Sequence, residues 1–324
     1  MRTITLEEHF TTPKYVEATA HASLGAGQPA NPHMEAIARQ QADLGEGRLA
    51  DMDAAGIDLQ VLSLSGILLD VLDAETASAV ARDANDRGAQ AVRAHPDRFA
   101  AFAALGMKEP GRDADELKRC VQELGFRGVI VNGTTNGLFL DHPFFEPVWR
   151  AARDLNVPVY LHPAPPPGAV REAYYTGLPE GYGLALSIAG WGWHVETGLH
   201  ALRLIASGLF DRLPELQVII GHMGENLPFS IARADSVLKN AGKPRAQSVI
   251  ETFRSHFHVT TSGYFTLPPF LCALEVMGAD RLMFSVDYPF STNLQGRAFL
   301  DGLPVSTEDM AKVSHRNAEK LLKL

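Results

Sequence analysis

Eight short runs rich in Val, Ile, Leu and Phe punctuate the chain, near residues 3–6, 57–64, 98–104, 127–131, 157–161, 216–220, 257–261 and 281–286. Each is nearly continuous in apolar character, the pattern of strands buried on both faces of a parallel sheet. Between them lie segments rich in Ala, Leu, Arg and Glu, such as 74–94, 112–124, 144–155 and 196–209. Their composition and spacing predict amphipathic helices. Eight strand-then-helix units are what a closed (β/α)8 barrel requires, and one such α/β domain over residues 1–324 is the fold expected. An open doubly wound sheet is the rival arrangement of the same elements.

Two connections are too long for simple turns. Residues 11–35 include the turn-rich stretch Gly25-Ala26-Gly27-Gln28-Pro29-Ala30-Asn31-Pro32. Residues 163–193 follow the fifth strand and contain Tyr174, Tyr182, Trp191 and Trp193. This aromatic segment leaves the catalytic end of the expected barrel. It suits a roof over a flat, apolar ligand, and equally an oligomer contact; a homodimer or homotetramer is expected. No repeat, low-complexity tract or domain linker interrupts the pattern.

Polar groups matter chiefly where they end a strand. Glu7 and His9 lie two residues apart in the first strand, on one side of it, with Glu8 facing the other way. His162 follows Val157-Pro158-Val159-Tyr160-Leu161, and Asp287 follows Leu282-Met283-Phe284-Ser285-Val286. Taken singly, each is an ordinary polar strand end. Together at one barrel mouth, their burial is costly unless a cation offsets it. The set predicts one divalent metal ion held by Glu7, His9, His162 and Asp287. Two imidazoles and two carboxylates without a thiolate suit zinc or manganese, not copper(I) or an iron–sulfur cluster.

His222 follows another strand, with Glu225 three residues on. If a helical turn begins at Met223, the carboxylate reaches the imidazole, fixing its tautomer and raising its basicity. That suits a general base or a polariser of substrate; a fifth metal ligand or a capping histidine are the other readings. His200 falls on a predicted helix and reads as structural. His256 and His258 flank the seventh strand, where one of them would line the barrel interior. His194 carries no interpretable spacing. Arg233 falls on the helix after His222, where an arginine is ordinarily a surface or ion-pair residue.

Composition narrows the partners. The 324 residues are 46% hydrophobic and 21% charged, ordinary for a globular protein. The net charge of −9 has no basic block within it, which argues against nucleic acid. No apolar stretch is long enough to suggest a membrane span. Two distant cysteines, Cys120 and Cys272, give neither a disulfide framework nor a thiolate zinc site. The opening Met1–Leu6 lacks a signal peptide's apolar core, so a reduced, cytoplasmic setting is expected.

The strand-end motifs, with Glu196-Thr197, the run from His200 to Asp211, and Gly278-Ala279-Asp280-Arg281, resemble the amidohydrolase superfamily. The likeness is to its branch related to aminocarboxymuconate semialdehyde decarboxylase. Within that branch the chain is similar to γ-resorcylate and 2,3-dihydroxybenzoate decarboxylases, over essentially its whole length. Glu7 stands where many amidohydrolases place the first His of a His-x-His pair, as in the hydroxybenzoate enzymes. The resemblance implies Glu7, His9, His162 and Asp287 as metal ligands, His222 and Glu225 as a catalytic pair, and Arg233 as an active-site arginine. It puts Tyr288 and Phe290 beside the substrate, with Tyr288 where the resorcylate enzyme is expected to have Trp.

The activity so implied is reversible, nonoxidative loss of carbon dioxide from an ortho-hydroxybenzoate, giving a phenol. In it Asp287 carries the proton to the ring carbon, and His222 with Glu225 steadies the phenolic oxygen. Hydrolysis or hydration of a lactone, amide or unsaturated dicarboxylate is the alternative within the superfamily. A barrel that only binds or scaffolds would not need all six groups.

Overall fold

A computed structural model describes residues 1–22, 31–241 and 246–324. Its strands are β1 (Ile4–Phe10), β2 (Leu59–Leu64), β3 (Phe99–Ala101), β4 (Ala103–Ala104), β5 (Val129–Asn132), β6 (Val159–His162), β7 (Val218–Ile220), β8 (Phe257–Thr260) and β9 (Leu282–Met283). All neighbours pair in parallel, as β1-β2-β3 and β4-β5-β6-β7-β8-β9. The run at 98–104 is thus two strands broken at Phe102, whose N–H donates to Leu62 O at 2.9 Å and keeps the wall continuous. The wall closes where Leu6 bridges Ser285 and His9 N donates to Tyr288 O at 2.7 Å.

Residues in one register row face the same side of a sheet. Ile130, Tyr160, Ile219 and His258 form such a row, and Ile130, Tyr160 and Ile219 pack inside with Ile4, Leu6, Val61 and Phe102. Ala318 and Leu322 of the last helix belong to this same cluster. Burying each large apolar side chain contributes about 1.5–3 kcal/mol. His258, predicted as a possible interior residue, does sit in this row, with Arg281 Nη1 2.9 Å from its Nε2. The period of two then carries His162, two residues beyond Tyr160, to the inner rim at the carboxyl end.

The helices follow the apolar spacing closely. The longest, Ala74–Ala94, is capped by Asp73 and buries Ala77, Val80, Ala81, Ala84 and Ala91. Those positions make one stripe against the barrel. The 11–35 connection departs from expectation: Thr12 caps a helix at Pro13–Thr19, and Asn31 caps another at Pro32–Ala42. Its predicted turns at 25–30 lie outside the described residues. Within 163–193 the chain forms two short helices, Gly168–Tyr175 and Tyr182–Ser187, before the helix Gly192–Ala206.

Candidate active site

Glu7, His9, His162, His222 and Asp287 meet at the carboxyl end of the barrel. Glu7 Oε1 lies 3.1 Å from His162 Nε2 and 3.8 Å from His222 Nε2. Asp287 supplies the opposite side, with Oδ1 3.3 Å from His9 Nε2 and Oδ2 3.8 Å from His222 Nε2. The far nitrogens of the two strand-end histidines are engaged elsewhere. His162 Nδ1 donates to Pro163 O at 2.7 Å, and Ser63 Oγ lies 3.1 Å from His9 Nδ1. Each ring therefore turns its Nε2 to the centre, with its orientation fixed from behind.

Glu7 is held by the barrel interior. Its Oε2 accepts from Tyr160 and Ser262 hydroxyls, and Thr260 Oγ1 lies 2.9 Å from the Tyr160 hydroxyl. Room for the carboxylate comes from Gly221, the residue after β7: a Cβ there would fall 2.8 Å from Glu7 Oε2 and 3.1 Å from Tyr160 Oη. Glu7 Oε1, by contrast, is buried without a hydrogen-bond partner. A buried carboxylate oxygen without a donor calls for a cation or proton.

Backbone conformation marks this place as unusual. Glu7, His222, Met223, Glu225, Asn226, Ser262 and Asp287 all have positive φ, in a region that L-residues avoid. Residues 222–226 do so consecutively, with Gly224 at +84°, forming one left-handed turn before the helix Leu227–Leu238. The turn is not the right-handed one expected from Met223. It nevertheless brings Glu225 Oε1 to 2.6 Å from His222 Nδ1. Strain of this kind concentrates at functional sites.

The electrostatics of these side chains reflect this crowding. Burial opposes ionisation of Glu7, but the imidazoles of His222, His162 and His9 hold its carboxyl well below the usual range. Burial opposes charge on His222 too; the carboxylates of Glu225 and Glu7 and the contact with Asp287 push its pKa well above ordinary. Burial likewise works against Asp287, and hydrogen bonds to His222 and His9 bring its pKa down.

Other sequence-derived candidates lie elsewhere. Phe290 is half exposed beside His9, with ring centroids 5.7 Å apart. Tyr288 is not at the cluster: it is buried, its hydroxyl donates to Asp51 at 2.7 Å, and Arg48 lies over its ring. The left-handed backbone of Asp287 and the Tyr288 N–H bond to Glu8 Oε2 accompany this turn away from the cluster. Arg233 is on the exposed face of Leu227–Leu238, opposite Leu227 and Ile231, which are buried. The aromatics Tyr174, Tyr182 and Trp191 are exposed rather than turned to the centre. Their segment lines a cavity of about 570 Å³ through Ala164–Gly168, Arg171 and Leu184, with Gly66 and Asn132 also on its wall.

Sequence reasoning missed three kinds of residue. His194 Nδ1 is 2.6 Å from Glu225 Oε2, and no spacing signalled it. Tyr160 and Thr260 carry no sequence signal beyond their apolar strand runs, and Ser262 lies just past one. Glu8 was seen to face away, but not what it does there: its carboxylate accepts from Val286 N at 3.0 Å and Tyr288 N at 3.1 Å.

Comparison with known proteins agrees with this geometry. The chain is 36% identical to the γ-resorcylate decarboxylase of Rhizobium radiobacter, over 99% of this chain and 98% of that one. The crystal structure of a 2,6-dihydroxybenzoate decarboxylase in complex with 2,6-dihydroxybenzoate superposes with a TM-score of 0.91 at 36% identity, covering both chains fully. A dihydroxybenzoic acid decarboxylase from a Polaromonas species, with bound manganese and the inhibitor 2-nitroresorcinol, gives 0.90 at 36% identity, over 100% of this chain and 97% of that one. The family described as amidohydrolase matches residues 16–324, and this barrel with its ring of His, Glu and Asp belongs to that family.

Proposed function

We propose that the chain is a single-domain, metal-dependent carboxy-lyase that removes carbon dioxide from an ortho-hydroxybenzoate without oxidation, releasing a phenol. The observation that carries this reading is the Glu7–His9–His162–Asp287 ring facing the His222–Glu225 pair, in a chain similar end to end to resorcylate decarboxylases. Ligand atoms around one ion at about 2.0–2.2 Å lie roughly 3.0–3.5 Å apart. The 3.1 and 3.3 Å separations here are of that size, and the partnerless Glu7 Oε1 is the oxygen such an ion would satisfy. Glu7, His9, His162 and Asp287 would hold one divalent ion. Manganese or zinc fits the donors, and manganese is the ion bound in the Polaromonas relative.

When bound, the ion supplies Lewis acidity toward the substrate's carboxylate and ortho oxygen. The chain's own residues do the rest. Asp287, its pKa raised when a bound anionic substrate dries and crowds it, gives its proton to the ring carbon bearing the carboxylate; the bond from that carbon to the carboxylate then breaks, and loss of carbon dioxide restores aromaticity. His222, its Nδ1 fixed by Glu225, presents Nε2 to the phenolic oxygen and stabilises its charge. Phe290 offers an apolar edge to the ring. General acid help of this kind contributes about 10²–10⁴ in rate.

Glu7→Ala and His162→Ala should each lose metal and activity together, whereas His222→Ala should lose activity and keep metal. Full metal occupancy in the first two, or metal loss in the third, contradicts the assignment. We further propose a cytoplasmic homo-oligomer. Support comes from two free cysteines and from the exposed Tyr174, Tyr182, Trp191 and Phe229, the last 89% accessible. Among the described residues no helix is long and apolar enough to cross a membrane.

A further inference from the structure

Glu225 is shared between two histidines. Oε1 lies 2.6 Å from His222 Nδ1 and Oε2 lies 2.6 Å from His194 Nδ1. His194 is the third residue of the helix Gly192–Ala206 and is 3% exposed; Glu225 is 1% exposed. The two imidazoles stand edge to face with centroids 4.8 Å apart, and Tyr264 packs against both. His194 Nε2 faces away from the site, 3.0 Å from Ala189 O and 3.3 Å from Trp193 Nε1. The same helix rests directly on the left-handed turn: a Cβ at Gly198 would lie 2.6 Å from Glu225 O.

A carboxylate gripped through one oxygen can still rotate about its last torsion, which is broad. Held through both oxygens by buried donors, it has one orientation. From this we propose that His194 is a positioning residue for the reaction. Its Nδ1–H fixes the plane of Glu225, and Glu225 in turn fixes the His222 ring with Nε2 toward Glu7 and Asp287. The polar contacts of His194 are with Glu225, Ala189 and Trp193; it acts through Glu225. The inference rests on the proposed role of His222 and Glu225. It adds that the pair depends on His194, the residue that directly follows segment 163–193.

Two amide replacements separate the two ring nitrogens. In His194→Asn the amide nitrogen takes the place of Nδ1 and keeps the bond to Glu225. In His194→Gln it takes the place of Nε2, beside Ala189 O and Trp193 Nε1, and loses the bond to Glu225. Each full-length variant is loaded with manganese and assayed for decarboxylation of 2,6-dihydroxybenzoate, with elemental analysis and a thermal melt. The expected result is a fall in kcat of about 10–100-fold for the Gln variant, with full metal content and KM within about threefold. The Asn variant should stay within about fivefold of the parent kcat, as retention of the Glu225 bond predicts. A merely structural role predicts the reverse order, or losses that track the melting temperature, and either outcome overturns the proposal. Should the Gln variant not fold, His194→Leu takes its place under the same criteria. His222→Ala is run alongside: if it keeps the parent kcat, the catalytic pair itself is wrong. If it is inactive while the Gln variant is not, only the role of His194 falls.

Discussion

Glu8 brackets Asp287. Its two carboxylate oxygens accept the N–H groups of Val286 and Tyr288, the residues on either side of Asp287, whose own φ is +67°. One strand-end motif thus does two jobs: Glu7 and His9 face the proposed ion, and Glu8 fixes the backbone of the ligand across the barrel seam.

Removing that bracket should be costly. Glu8→Ala leaves two buried N–H groups unsatisfied, at about 1–3 kcal/mol each. Metal affinity should fall about 10–100-fold, as when a ligand loses its outer support. A thermal melt and a manganese titration check both; an unchanged affinity would mean that Asp287 holds its place without Glu8.

Gly221→Ala tests the space rather than the charge. The added methyl group would meet the Glu7 carboxylate and the Tyr160 hydroxyl. Since φ at this glycine is −77°, the backbone tolerates alanine and the effect is local. The barrel should fold with near-native circular dichroism but bind less than stoichiometric metal.

Acid sensitivity should come partly from His200. Its Nε2 accepts from Leu140 N at 2.8 Å, and burial depresses its pKa from 6.5 to about 3. The unfolded chain then binds a proton that the folded chain refuses between those values. Its contribution is complete above about pH 6.5 and is lost as pH falls toward 3, by up to about 1.4 kcal/mol per unit. His200→Gln, whose amide oxygen still accepts from Leu140 N, should flatten that part of the stability–pH curve. An unchanged slope in urea titrations at pH 4–6.5 would refute this origin.

Reversibility gives a further check. A nonoxidative route runs backward, so high bicarbonate should drive carboxylation of resorcinol, and a chelator should abolish it until manganese is restored. Activity that survives thorough chelation contradicts a metal-dependent reaction.

Much of this arrangement was legible in the chain because it is local. Apolar runs of four to eight residues mark the barrel strands, and ligand-type residues just past four of them mark the rim. Glu7, His9, His162, His222 and Asp287 were all visible this way. What stayed hidden depends on contacts distant in sequence. Tyr160 lies 153 residues from Glu7 and looks like any strand aromatic until the barrel closes. His194 and Glu225 meet across 31 residues, with no period to link them. Tyr288 was put beside the substrate by resemblance; here the left-handed Asp287 and the Glu8 bracket turn it toward Asp51 instead. The aromatic residues of 163–193 did signal an ordered segment, but composition does not tell which face of a short helix meets the site.

The most direct test of the central claim is to follow 2,6-dihydroxybenzoate with the manganese-loaded protein, without oxygen, in deuterium oxide. Carbon dioxide and resorcinol should form one to one, with a single deuterium on the carbon that carried the carboxylate. A metal-loaded protein that is inert on this acid, on 2,3-dihydroxybenzoate and on salicylate, yet opens a lactone, would contradict it.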